Sequence, residues 1–176
     1  MKRSLYLAIA AIALVAAPRV SQAQLGLVKP FSLGIAGGAT QPMSDLSNTS
    51  NMGFNATAAA EIKLPLIPVG LRVDGAYNQF GQKSGGAKLH VMSATGNVVW
   101  RLPNVGVQPY LIGGAGLYIP TVEASGLPSV SENHFGWNVG AGAKLPYHTF
   151  AEARYNRISA NGGSMEFVPV TLGIMF

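Results

Sequence analysis

The sequence contains no cysteine, so its 176 residues have no disulfide framework and no thiolate to serve as nucleophile or metal ligand. Charge is scarce as well: 11% of residues are Asp, Glu, Lys or Arg, and they form no run of one sign. That excludes the basic stripe with which a nucleic-acid binder neutralises phosphates. After Ala17 no segment has both the length and the apolarity of a membrane helix, which needs ~20 residues. Metal-ligand spacing of His and Cys is missing, and so is a phosphate-cradling glycine loop, so no metal and no cofactor are expected. Gly113-Gly114-Ala115-Gly116 falls within a predicted strand, where glycine relieves crowding. The three histidines offer no catalytic pair. His90 and Ser93 are three apart and fall on opposite faces of a strand, His148 sits at a turn, and His134 has no adjacent nucleophile. The chain is therefore expected not to be an enzyme. Against these absences stands a mean hydropathy of +0.28 with 48% hydrophobic residues. Apolar surface that no long helix can hide has to be carried by strands.

The first 23 residues read as a cleaved secretory signal peptide. Lys2 and Arg3 form a positive start, Leu5 to Ala17 an apolar stretch, and Ser21-Gln22-Ala23 a small-x-small cleavage site. Residues 24–176 then form one domain. Lys2, Arg3 and Arg19 supply three of the formal net charge of +5, so the exported chain carries +2 and the basic character mostly disappears.

Eight strands follow from period-two patterning and turn residues, over Phe31–Gln41, Met52–Lys63, Gly70–Phe80, Lys88–Arg101, Gly106–Ile119, His134–Leu145, Thr149–Ser159 and Met165–Phe176. Each is near the ~9–11 residues that a tilted strand needs to cross a bilayer. The connections alternate. Pro42–Asn51, Gly81–Ala87, Pro120–Asn133 and Ala160–Ser164 are polar and rich in Gly, Ser and Asn, whereas Leu64–Val69, Leu102–Val105 and Pro146–His148 are tight and contain proline. Short turns at one end and longer loops at the other predict an all-β, antiparallel, up-and-down transmembrane β-barrel with its polar loops outside the cell.

Side-chain size tells the inside of this barrel from the outside. In the third strand Leu71, Val73, Gly75 and Tyr77 oppose Arg72, Asp74, Ala76 and Asn78, and the second, sixth and seventh strands alternate as clearly. The polar face is interspersed with Gly and Ala, which suits a narrow interior, and the bulky apolar face suits lipid. Glu61, Arg72, Asp74, Lys144, Glu152 and Arg154 thus all face inward, three acidic and three basic. Cross-strand position pairs Glu61 with Arg72 and Lys144 with Glu152. The aromatics after residue 23 fall near strand ends and predict two interfacial girdles. Thr95-Gly96-Asn97 and Pro169 are each expected to mark a bulge. The longest polar loop, with Glu123, Ser125, Gly126, Ser129, Ser131 and Glu132, is the candidate binding loop.

In the last strand Val168, Val170, Leu172, Ile174 and Phe176 share one apolar face that ends on an aromatic. This pattern resembles the C-terminal assembly signal of bacterial outer-membrane β-barrels, and the whole chain after the leader resembles their eight-stranded family, which includes the OmpA and OmpX types. The resemblance implies an integral protein of a Gram-negative outer membrane, inserted by the barrel-assembly machinery and surrounded by outer-membrane lipid and lipopolysaccharide. The chain is expected to depart from the OmpA type in having no C-terminal periplasmic domain, and from the OmpX type in lacking long, β-rich outer loops. The lipid A deacylases with this fold carry a His-x-Ser pair on one strand face, which this sequence lacks. The expected role is structural or surface-interacting, through the outer loops and with the lumen filled by side chains. The alternatives are a narrow channel for small solutes and, last, a lipid-modifying enzyme.

Overall fold

The computed structural model describes residues 31–83, 88–103, 106–123, 130–160 and 163–176; the predicted leader lies outside them. The elements are β1 (Phe31–Met43), α1 (Leu46–Thr49), β2 (Ser50–Lys63), β3 (Val69–Gln82), β4 (Lys88–Arg101), β5 (Gln108–Glu123), β6 (Val130–Ser131), β7 (His134–Lys144), β8 (Thr149–Ala160) and β9 (Gly163–Met175). Eight of the strands circle in the order β1-β2-β3-β4-β5-β7-β8-β9, antiparallel throughout, and β9 returns to pair with β1. The sheet has no free edge, so every strand can place its main-chain bonds in the ladder. β6 is a two-residue strand laid on the far end of β5, through Thr121↔Ser131 and Val122↔Val130.

The alternation read from the sequence sets the two faces. Leu71, Val73, Leu111, Leu117, Phe135, Val139, Val170, Leu172 and Ile174 are all more than two-fifths exposed on the outer surface. Contiguous apolar surface on that scale is foreign to a water-soluble monomer and fits a hydrocarbon environment. The inner face carries the buried polar residues instead, among them Asn55, Glu61, Arg72, Asp74, Thr95, Asn97, Asn138, Glu152, Arg154 and Asn156.

The two ends of the barrel differ. At the terminal end, which bears Phe31 and Phe176, the turns are tight. Leu64 N–H donates to Val69 O at 3.1 Å, and Leu145 N–H donates to Thr149 O at 2.9 Å across a turn whose Tyr147 and His148 have φ of 60° and 62°. At the loop end the expected loops are shorter than the sequence suggested. β1 runs on to Met43, α1 takes Leu46–Thr49 and β2 begins at Ser50; β8 and β9 continue to the pair Ala160↔Gly163; and β5 continues through Pro120 to Glu123.

Two other expectations are corrected. No bulge occurs at Thr95-Gly96-Asn97, where the register with both neighbours is continuous. The one-residue shift lies in β2, between Asn51 and Phe54, where Gly53 allows the close approach: a Cβ there would overlap the Gln79 carbonyl. Nor does Pro169 make a bulge. The ladder to β8 has no pairing at Arg154 and Tyr155, but Ala153↔Val170 and Asn156↔Phe167 keep one register, and Thr40↔Pro169 continues the ladder to β1. The proline removes a donor locally without shifting the strand.

The aromatic girdles are only partly as expected. Phe31, Trp100 and Phe176 at one end, and Phe54, Tyr77, Phe135, Trp137 and Tyr155 toward the other, face outward, with Phe54–Tyr77 and Trp137–Tyr155 ring centroids 6.0 Å and 5.6 Å apart. Phe80, Tyr110, Tyr118, Phe150 and Phe167 instead point inward and are buried. They fill the lumen, because a narrow barrel interior is itself a core.

Candidate functional site

The lumen is filled in stages. Inward at the terminal end, Glu61 of β2 is fully buried. Arg101 of β4 and Lys144 of β7 both reach its Oε1, the lysine at 3.2 Å. Next to this cluster, Arg72 and Asp74 of β3 face Glu152 and Arg154 of β8 and close a four-membered ring. Arg72 donates to Asp74 at 2.7 Å and to Glu152 at 2.9 Å; Arg154 forms an ion pair with Asp74 at 2.9 Å and donates to Glu152 at 2.5 Å. Each carboxylate also has a neutral donor, Asn97 Nδ2 to Asp74 and Tyr110 Oη to Glu152, both at 2.7 Å. The Phe150 ring lies 5.5 Å from the Arg72 guanidinium carbon. Two cations and two anions make the ring neutral, and every charge in it has at least two partners. Buried ions survive desolvation only on such terms.

Beyond the ring is an amide layer. Asn55 Nδ2 donates to Asn78 Oδ1 at 2.7 Å, and Tyr118 Oη donates to Asn156 Oδ1 at 3.0 Å. Asn55, Asp74, Asn78, Glu152, Arg154 and Asn156 border a cavity of about 30 Å³, the room of one water molecule. The loop end is closed by a cluster of Leu46, Phe80, Leu89, Val91, Tyr118, Ile158 and Phe167, with Phe80 and Phe167 edge to face at 5.5 Å. Leu46 comes from α1, so the short helix contributes to this seal.

All six charges picked out from the sequence face the lumen, but not as the expected pairs. Glu61 and Arg72 are opposite in register, yet their side chains part: Glu61 joins Arg101 and Lys144, while Arg72 joins Asp74 and Glu152. Lys144 likewise does not pair with Glu152, since it lies opposite Phe150. Strand neighbours share a backbone register, but in a closed barrel long side chains also reach across the lumen. Arg101 was missed, although Asn97, Val99 and Arg101 are spaced by two and share the inward face.

Four residues of the assembly signal share the outward face of β9, which pairs along β1 through Ile35↔Ile174, Gly37↔Leu172, Ala39↔Val170 and Gln41↔Val168, and Phe176 follows the strand's last residue. Phe176 and Leu33 exchange two main-chain hydrogen bonds of 2.7 Å, which hold the seam shut. In the candidate binding loop, Glu123 ends β5, Ser131 lies in β6 and Glu132 sits 3.5 Å from His134; Ser125, Gly126 and Ser129 lie outside the described residues. His90 packs beside Tyr77, ring centroids 5.6 Å apart, on the outer face, while Ser93 lines the inner cavity.

No curated protein matches the sequence. Among solved structures, Neisserial surface protein A (NspA) superposes with a TM-score of 0.64 at 16% identity, covering 83% of this chain and 96% of that one. Ail, the attachment invasion locus protein of Yersinia pestis, gives 0.56 at 18% identity, covering 83% and 97%. The outer membrane enzyme PagL gives 0.57 at 16% identity, covering 82% and 98%. These likenesses are of fold, and one fold serves both surface proteins and an enzyme. The family model of the outer membrane protein beta-barrel domain matches residues 5–176. With its closed eight-stranded sheet, apolar exterior and polar lumen, the chain belongs to the outer membrane protein beta-barrel domain family.

Proposed function

We propose that this outer-membrane barrel acts at the cell surface, through its loop end, and that its lumen is a structural filling and not a path. The observation that carries this reading is the occupied lumen: two ion clusters, an amide layer and an apolar seal succeed one another along it. The outward and inward placement of His90 and Ser93 favours a non-enzymatic role over the lipid-modifying one. At the loop end, Asp45, Glu123, Glu132 and Glu166 oppose Lys83, Lys88 and Arg157, so the surface offered is mixed in charge. Ail is known in complex with the heparin analogue sucrose octasulfate. The mixed charge here favours a neutral or polar contact over such a polyanion. Lipopolysaccharide would be its lateral neighbour, and the face from Val168 to Phe176 the part presented to the assembly machinery.

Single cysteines test which end faces out, because the chain has none of its own. Asp45→Cys and Ser131→Cys are expected to react with a membrane-impermeant maleimide on intact cells. Leu66→Cys and Tyr147→Cys, at turn positions 103% and 93% exposed, are expected to react only after lysis. Labelling of the turn positions on intact cells, with the loop positions silent, would invert the barrel and remove the surface reading.

A further inference from the structure

At the terminal end the filled lumen finishes in the cluster around Glu61. At its mouth lie two open recesses of about 670 Å³ and 770 Å³ that share Lys63 and Lys144; Arg101 lines the larger. Arg101 and Lys144 share one carboxylate, Glu61, and Lys63 stands beside them on the rim. Lys63 has no hydrogen bond or ion pair among the described residues.

The chain has little of its own to balance them. Of its seven acidic residues, Asp74 and Glu152 are held in the arginine ring, and Asp45, Glu123, Glu132 and Glu166 belong to the loop end. The segment before β1 adds Lys29 and no acid. Lys63 is thus free, among the described residues, to take an anion from outside the chain.

The shape of the recesses says from where. They are bordered by the inward cations and also by outward residues: Trp100 on one side, Ile174 and Phe176 on the other, 51%, 47% and 62% exposed. Each recess thus runs over the rim, from the cationic mouth onto the lipid-facing wall. A ligand that matches carries an anionic head and an apolar tail. We propose that this rim is a binding site for an anionic phospholipid, its phosphate held by Lys63 and Lys144 and its acyl chains laid along the wall beside Trp100 or Ile174. This site lies at the opposite end from the surface contacts proposed above and does not depend on them.

The test uses Trp137→Phe, which leaves Trp100 as the sole indole, in phosphatidylcholine vesicles doped with brominated lipid. Brominated phosphatidylglycerol is expected to quench Trp100 well beyond brominated phosphatidylcholine at equal fraction, with a binding preference of roughly five-fold per lysine. Lys63→Gln should lower that preference about five-fold, Lys63→Gln with Lys144→Gln should abolish it, and Lys83→Gln at the loop end should leave it unchanged. High salt should weaken the preference in the unmodified rim, a readout that needs no lysine variant to fold. Equal quenching by the two lipids overturns the site. Loss of the preference when millimolar inorganic phosphate is added would assign the cations to a soluble anion and overturn the lipid assignment.

Discussion

Arg72→Ala is expected to destabilise the barrel by about 3–5 kcal/mol, the usual consequence of leaving a buried counter-charge unpaired. Arg72 is 2% exposed and bridges Asp74 and Glu152; without it the two carboxylates share a single cation, Arg154. Asp74→Ala in the same background should then cost far less than it does by itself, because the charge it removes has already lost its nearest partner. The coupling should fall in the range of about 0.5–3 kcal/mol found for residues of one network. Arg72→Ala with Glu61→Ala should show a smaller coupling, since their side chains belong to different clusters although they are opposite in register. Urea titration in lipid vesicles, read as the folded fraction on unboiled gels, measures all of these. Equal coupling in the two pairs would mean that the interior charges form one undivided network.

The second large effect is expected at Gly142. It lies opposite Tyr110 in register, and a Cβ there would overlap the Tyr110 ring. The phenol sits on the glycine and, from that position, gives its hydrogen bond to Glu152. Gly142→Val should cost about 1–3 kcal/mol from overpacking, with the lost hydrogen bond in addition. In a Tyr110→Ala background the same change should cost much less. Gly75→Val is the control. Its position faces outward with nothing within 4 Å of an added Cβ, and valine there meets lipid, so little change is expected. Equal losses at Gly142 and Gly75 would show that the glycine is needed for its backbone and not for the ring. The same arrangement recurs where the Phe150 ring lies 2.6 Å from a Cβ built on Gly173, and the Tyr118 ring 2.7 Å from one on Gly136.

These glycines explain what the sequence showed and what it hid. Period-two alternation read the faces of β2, β3, β7 and β8 directly, because in mid-strand their charges and their bulky apolar residues lie on opposite sides. It served less well in β5, where Tyr110, Ile112 and Tyr118 point in and Leu111 and Leu117 point out, so both faces read as apolar. Aromatic residues near strand ends suit a headgroup girdle, yet Phe80 and Phe167 form the seal of the lumen. For Tyr110, Tyr118 and Phe150 the signal is a glycine on the neighbouring strand, where the ring can lie. Ion pairing was the least legible part. Arg72 and Glu152 are 80 positions apart and meet only because the sheet closes, and no one-dimensional pattern reports the distance across a lumen.

The central claim is that the interior of this barrel is filled and closed, and planar-bilayer recording tests it most directly. The purified barrel, shown to be folded by its shift on unboiled gels, is expected to give no steady conductance at any voltage the membrane withstands. Arg72→Ala should give at most brief, irregular openings, because the seal of Leu46, Phe80, Leu89, Tyr118, Ile158 and Phe167 stays in place. Large, stable, ion-conducting events from the unmodified barrel would contradict the filled lumen and make transport its function.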